Sequence, residues 1–163
     1  MVNKINIAIV QNDFNSKSTT VFDNLCDYLI KNKFKKNSIV VLHELSLTKY
    51  FPISKKTKYK SLSIKVNCDE INQLKNICKK IKIYLIVSFY EHAGSGEKYN
   101  SAVVISPYGK ILGKQRKLNL PNERCYHENY YFEKNHYLKI INIGICKIGI
   151  LICWDQWFFD NYK

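Results

Sequence analysis

Apolar side chains follow two rhythms along this chain. Predominantly apolar runs rich in β-branched and aliphatic residues occupy 5–10, 39–42, 83–89 and 101–105, and short runs of this kind mark strands buried on both faces. Between them the spacing changes to three and four. Val21, Leu25, Tyr28 and Leu29 form one apolar stripe, which predicts a helix over about 19–35. Ser18 or Thr19 can cap its first amides, and Asn37-Ser38 ends it before the next run. Ile71, Leu74, Ile77 and Ile81 repeat the pattern, predicting a second helix over about 69–80.

Turn residues divide the remainder. The Lys- and Ser-rich stretch 54–63 reads as a loop, Gly94-Ser95-Gly96 as a turn, and Pro107-Tyr108-Gly109 as a turn that folds 111–114 back beside the strand at 101–105. Two further strands, 137–143 and 147–153, flank Gly144, and 154–163 leaves the second. There is no repeat and no linker. Apolar strands separated by helices predict one α/β layered domain whose sheet is covered on both faces.

Composition narrows the class. With 46% hydrophobic residues among 163, the chain can bury one core. The run 5–10 is too short to span a membrane and carries no signal-peptide cleavage pattern, so the protein reads as cytoplasmic, with no membrane partner. Six cysteines without a CxxC pair or a His-linked zinc spacing read as reduced thiols, most of them small core hydrophobes. Lys and Arg number 26 against 13 Asp and Glu, a formal charge of +13. That charge fits either a nucleic-acid surface or a Lys-rich exterior, and its spread over 31–36, 55–60 and 79–82, apart from any aromatic cluster, favours the exterior. No nucleic-acid partner is expected.

Three segments place a reactive group just past an apolar strand, where sheet enzymes gather their sites: His43-Glu44, Arg116-Lys117 and Cys153-Trp154-Asp155. A glutamate beside a thiol can serve as general base, a lysine can steady an oxyanion, and cysteine is the strongest ordinary nucleophile. Taken singly, each has a plain structural explanation: a solvated strand end, a surface lysine, a buried thiol. Together they suit acyl transfer from a C–N bond.

Their surroundings resemble those of a known family. Val40-Val41-Leu42-His43-Glu44-Leu45 followed by Tyr50-Phe51-Pro52 is similar to the glutamate motif of the nitrilase superfamily of carbon-nitrogen hydrolases. Gly113-Lys114-Gln115-Arg116-Lys117-Leu118-Asn119-Leu120-Pro121 resembles its lysine motif, and Ile148-Gly149-Ile150-Leu151-Ile152-Cys153-Trp154-Asp155 its nucleophile motif. Tyr99-Asn100-Ser101-Ala102 and Pro107-Tyr108-Gly109-Lys110 match the text between them, so the resemblance spans nearly the whole chain. Departures are His43, Gln115 and Phe159, where relatives often carry proline or glutamine, an aromatic, and proline.

The resemblance implies Glu44 as general base, Lys117 as oxyanion-stabilising lysine, Cys153 as nucleophile, Glu128 as the glutamate that orients Lys117, and the Trp154 N–H as a second oxyanion donor. It implies a ureido or amide substrate without metal or organic cofactor, and within the superfamily the text is most like the N-carbamoylputrescine amidase branch. It also implies that residues 1–163 are the N-terminal part of a four-layer αββα sandwich, incomplete at the C-terminus. Such a sheet would leave backbone and apolar faces uncovered and invite aggregation. Partners expected on this reading are a complementing C-terminal fragment and the homo-oligomer of the full-length family. The alternatives are an inactive remnant and a basic nucleic-acid-binding protein.

Overall fold

The computed structural model describes residues 4–11 and 21–162. Strands β1 (Ile7–Val10), β2 (Ile39–Leu42), β3 (Tyr84–His92), β4 (Lys98–Ile105) and β5 (Ile111–Arg116) form one sheet in that order. The first three run parallel, and β4 and β5 continue antiparallel. Helices α1 (Val21–Lys31) and α2 (Asp69–Ile81) supply the crossovers between the parallel strands.

The continuous apolar runs divide by a period of two. Val40, Leu42, Leu85, Val87, Phe89, Val103 and Ile105 meet Leu25 and Leu29 of α1 and Ile71, Leu74 and Ile77 of α2 in one core. Ile39, Tyr84, Ala102 and Val104 face the other way, against Ile141, Ile143, Ile150 and Ile152. That second cover is a hairpin, β8 (Ile140–Asn142) with β9 (Lys147–Gly149), turning at Gly144 with φ 90°. A smaller hairpin, β6 (Asn122–Glu123) with β7 (Tyr126–His127), lies in the segment after β5.

The sheet is therefore covered by helices on one face and by a second β layer over part of the other, with Ile7 and Ile9 of β1 left exposed at 65% and 82%. The expected loop at 54–63 contains a 3₁₀ helix, Thr57–Leu62, which its Lys- and Ser-rich composition conceals. Helix α1 ends at Lys31, because Asn32 and the residues to Asn37 turn instead, Asn37 adopting φ 61°. The expected caps Ser18 and Thr19 lie outside the described residues. The strand expected at 147–153 pairs only to Gly149; Ile150 and Ile152 are buried against the sheet face, so their apolar run reflects packing and not a ladder.

Strand direction gathers the chemistry at one edge. β2, β3 and β5 run the same way, and the register sets Ser88 opposite Ala102, Tyr90 opposite Asn100 and Arg116 opposite Ser101. Glu44, just past β2, and Lys117, just past β5, consequently flank Asn100.

Candidate active site

Glu44 stands in a turn held to β3. The Leu45 N–H donates to Ser88 Oγ at 3.0 Å and the Ser46 N–H to the Ser88 carbonyl at 3.0 Å, while Leu45 takes a left-handed φ of 49°. Asn100, wholly buried on β4, accepts from Ser88 Oγ at 3.2 Å and donates through Nδ2 to Glu44 Oε1 at 2.8 Å. The Lys117 N–H donates to the Asn100 carbonyl at 2.8 Å, extending the sheet by one residue and sending the lysine side chain inward.

That side chain is only 1% exposed. Its Nζ donates to Glu44 Oε1 at 2.5 Å and to Glu128 Oε1 and Oε2 at 2.8 and 2.7 Å. Tyr50 donates to Glu128 Oε1 at 3.0 Å. Glu128 opens a 3₁₀ turn, Glu128–Tyr130, whose next residues Tyr131 and Phe132 pack with Leu45, Phe51 and Tyr90 beneath the site. Phe51 meets Tyr131 edge-on at 4.9 Å, giving the charged cluster a rigid aromatic floor.

Cys153 closes the group. After buried Ile152 the chain turns at Cys153, φ 47°, into the short 3₁₀ helix Cys153–Trp157. A left-handed non-glycine residue costs on the order of 1–3 kcal/mol and marks positions that the surroundings hold in place. The Glu44 carboxylate is near enough to act electrostatically on the thiol. Glu44 and Cys153 share a cleft of about 380 Å³ with Val41, His43, Ile86 and Ala102. A larger cavity of about 740 Å³ lies beyond Tyr50, lined by Phe22, Leu47, Phe51 and Phe89, and none of Glu44, Lys117 and Cys153 borders it. The smaller cleft is thus the one with chemistry in it.

Charge follows from this packing. Burial favours the neutral lysine, but the Glu44 and Glu128 carboxylates outweigh it and hold Lys117 above its usual range. Burial and the Glu44 charge push Glu128 upward against the pull of Lys117. Burial and Glu44 likewise raise the Cys153 thiol to about 11, so the resting pair is a thiol beside a carboxylate. Glu44 Oε1 accepts from both Lys117 and Asn100, which leaves Oε2 without a hydrogen bond from either. Such an arrangement can generate a thiolate only as it attacks, and has an ammonium beside the reacting carbon.

Glu44, Lys117, Glu128 and Cys153 thus come together from four separate stretches, and Lys117 is no surface lysine. Trp154 follows the thiol in the same turn, its ring 6.5 Å from that of Trp157. Tyr50, Ser88 and Asn100 join the site without having been singled out. Tyr50 and Asn100 sit inside matched motif text, a signal available in advance, whereas Ser88 is one more residue of an apolar strand. Of the six cysteines, Cys26 and Cys78 are buried, Cys68 and Cys146 half-buried, and Cys125 and Cys153 exposed, so the expectation that most are core residues is corrected: several lie on loops and strand ends. Among the described residues no group of His, Cys, Asp and Glu is gathered as a metal site, and no helix is long and apolar enough to cross a membrane.

Residues 6–162 match the family profile described as carbon-nitrogen hydrolase. The chain belongs to the carbon-nitrogen hydrolase family. Among its relatives, citrullinase of Francisella tularensis subsp. tularensis is 33% identical over 94% of this chain and 54% of its own length. N-carbamoylputrescine amidase of Oryza sativa subsp. japonica is 30% identical over 95% of this chain and 52% of its own. The crystal structure of a carbon-nitrogen hydrolase from Helicobacter pylori G27 superposes with a TM-score of 0.83 at 28% identity, covering 96% of this chain and 54% of that one. The chain has the α/β fold of the nitrilase-type hydrolases and spans about half the length of the relatives it matches.

Proposed function

We propose that this carbon-nitrogen hydrolase chain serves as an amidohydrolase of terminal ureido compounds, with N-carbamoylputrescine as substrate and putrescine, ammonia and carbon dioxide as products. The observation that carries the reading is the Glu44–Lys117–Glu128 cluster, linked by hydrogen bonds of 2.5–2.8 Å, with Cys153 lining the same cleft as Glu44. Glu44 takes the Cys153 proton as Sγ bonds to the ureido carbon. Lys117 and the Trp154 N–H stabilise the tetrahedral oxyanion. Glu44 returns the proton to the terminal nitrogen, the C–N bond breaks and ammonia leaves, with the carbamoyl carbon now bound to sulfur. Glu44 then draws a proton from water, which attacks that carbon and displaces Sγ, and the released carbamate yields amine and carbon dioxide. Glu128 keeps Lys117 charged and aimed.

Citrulline is a second substrate to weigh, because a relative matching 94% of this chain is named a citrullinase. Both molecules offer the same ureido group and differ in the tail. On this reading residues 1–163 form one hydrolase domain, acting alone or with a complementing C-terminal segment. Ammonia release from each substrate by the chain, with and without a supplied family C-terminal half, tests the proposal. Release that vanishes in Cys153→Ala supports it, and preference for citrulline reassigns the substrate. Folded protein inert toward both, in either condition, favours the inactive remnant.

A further inference from the structure

Asp155 takes no part in those steps, yet it is 0% exposed and stands between two of the residues that do. Its Oδ1 accepts the Leu118 N–H at 3.0 Å, the Asn119 N–H at 2.7 Å and Asn119 Nδ2 at 3.3 Å. Its Oδ2 accepts the Ile152 N–H at 3.0 Å. One oxygen therefore holds the chain just after Lys117, and the other holds it just before Cys153. Burying a carboxylate is costly unless its oxygens find donors, and here one oxygen is matched to the exit from Lys117 and the other to the entry into Cys153.

Both segments need such a tie. Lys117 lies just past the paired residues of β5, and Cys153 stands beyond the end of β9 in a left-handed conformation. A carboxylate that served only the short 3₁₀ helix would need no more than its bond to Ile152, returned by the Asp155 N–H donating to the Ile152 carbonyl at 3.1 Å. The donors from Leu118 and Asn119 belong to another part of the chain. We propose that Asp155 is a positioning residue that locks the Cys153 turn to the Lys117 segment and so sets the thiol against Glu44 and Lys117. The proposal rests on the reading of Cys153 as nucleophile.

The pH dependence of Cys153 alkylation by iodoacetamide, followed by mass spectrometry of its peptide, tests this without any turnover. In the native chain the thiol stands at about 11 against an ordinary 9.0, owing to burial and Glu44. Asp155→Asn keeps the shape and can keep an acceptor toward Leu118 and Asn119, but sets an NH₂ against the Ile152 N–H. The freed turn moves Cys153 away from Glu44, its titration falls toward the ordinary value, and alkylation at pH 8 speeds up ~10-fold or more. Asn119→Ala, which removes one donor and leaves Asp155 in place, gives a smaller shift in the same direction and decides the matter should Asp155→Asn fail to fold. Ser106→Ala, which loses two acceptor bonds in the β4–β5 turn far from the site, leaves the profile unchanged while lowering stability.

A native profile in folded Asp155→Asn, or in Asn119→Ala where only that variant folds, overturns the proposal. An equal shift in Ser106→Ala does so as well, by reducing the effect to general loosening. The two readings fail separately: a shifted profile in a chain that releases no ammonia keeps the lock and sinks the substrate, and an active enzyme with an unshifted Asp155→Asn profile does the reverse.

Discussion

Lys117 meets three carboxylate oxygens while 1% exposed, so its charge is set by Glu44 and Glu128 instead of by water. Lys117→Met leaves Glu128 buried without its cation; activity falls by roughly 10²–10³ and stability by about 3 kcal/mol, measured by turnover and urea unfolding. The pH profile has a definite sign. Glu128 is raised by burial and by Glu44, so acidification protonates it at a higher pH than an ordinary carboxylate and removes one of the charges holding Lys117. kcat/KM is accordingly expected to fall on an acid limb that begins near neutral pH, above the ordinary carboxylate range; a limb at that ordinary range counts against Glu128 as partner. Glu44, Lys117, Glu128 and Cys153 were legible because ordered motif text surrounded each one. Ser88 was not, and Asp155 was legible only as motif text without its role, since both act through bonds to residues far along the chain.

Elements carry a second set of constraints. Gly113 on β5 faces the β8–β9 hairpin, and a Cβ there would sit 2.8 Å from three atoms of Ile141. Gly113→Ala is expected to cost about 1–3 kcal/mol by overpacking that contact, read as a lower urea midpoint with unchanged slope. Glu91, at the end of β3, accepts from Ser101, Lys114 and Arg116. Burial alone would raise its pKa, but those donors overcome it and hold Glu91 at about 2. A depressed carboxylate stabilises the fold above its unfolded pKa of about 4.5 and loses that contribution as pH falls toward 2. Glu91→Gln thus lowers stability by about 2 kcal/mol at pH 7 and flattens the loss below pH ~4, checked by unfolding across pH. Strands β2, β3 and β4 were readable from apolar runs, because burial on both faces imposes them, whereas β1 keeps its run with Ile7 and Ile9 exposed. The run at 150–152 obeys the same rule without pairing, so periodicity alone could not separate a packed extended segment from a strand.

The whole molecule shows a helix-covered face and a β-covered face, the latter reaching only part of the sheet. Ile7 and Ile9 on β1 stay exposed at 65% and 82%. Ile9→Thr, which keeps β propensity while removing apolar area, is expected to reduce binding of a hydrophobic dye without lowering the melting temperature; undiminished dye binding would place the exposed surface elsewhere. At this scale the family match was legible in sequence, while the arrangement of the second β layer came from contacts between distant segments. The chemistry sits at the strand ends, and its first test is ammonia release from N-carbamoylputrescine by the native chain and by Cys153→Ala, with and without a family C-terminal half. Release by the native chain is expected to disappear with the thiol. Release that survives in Cys153→Ala, or none in either condition from folded native protein, would contradict it.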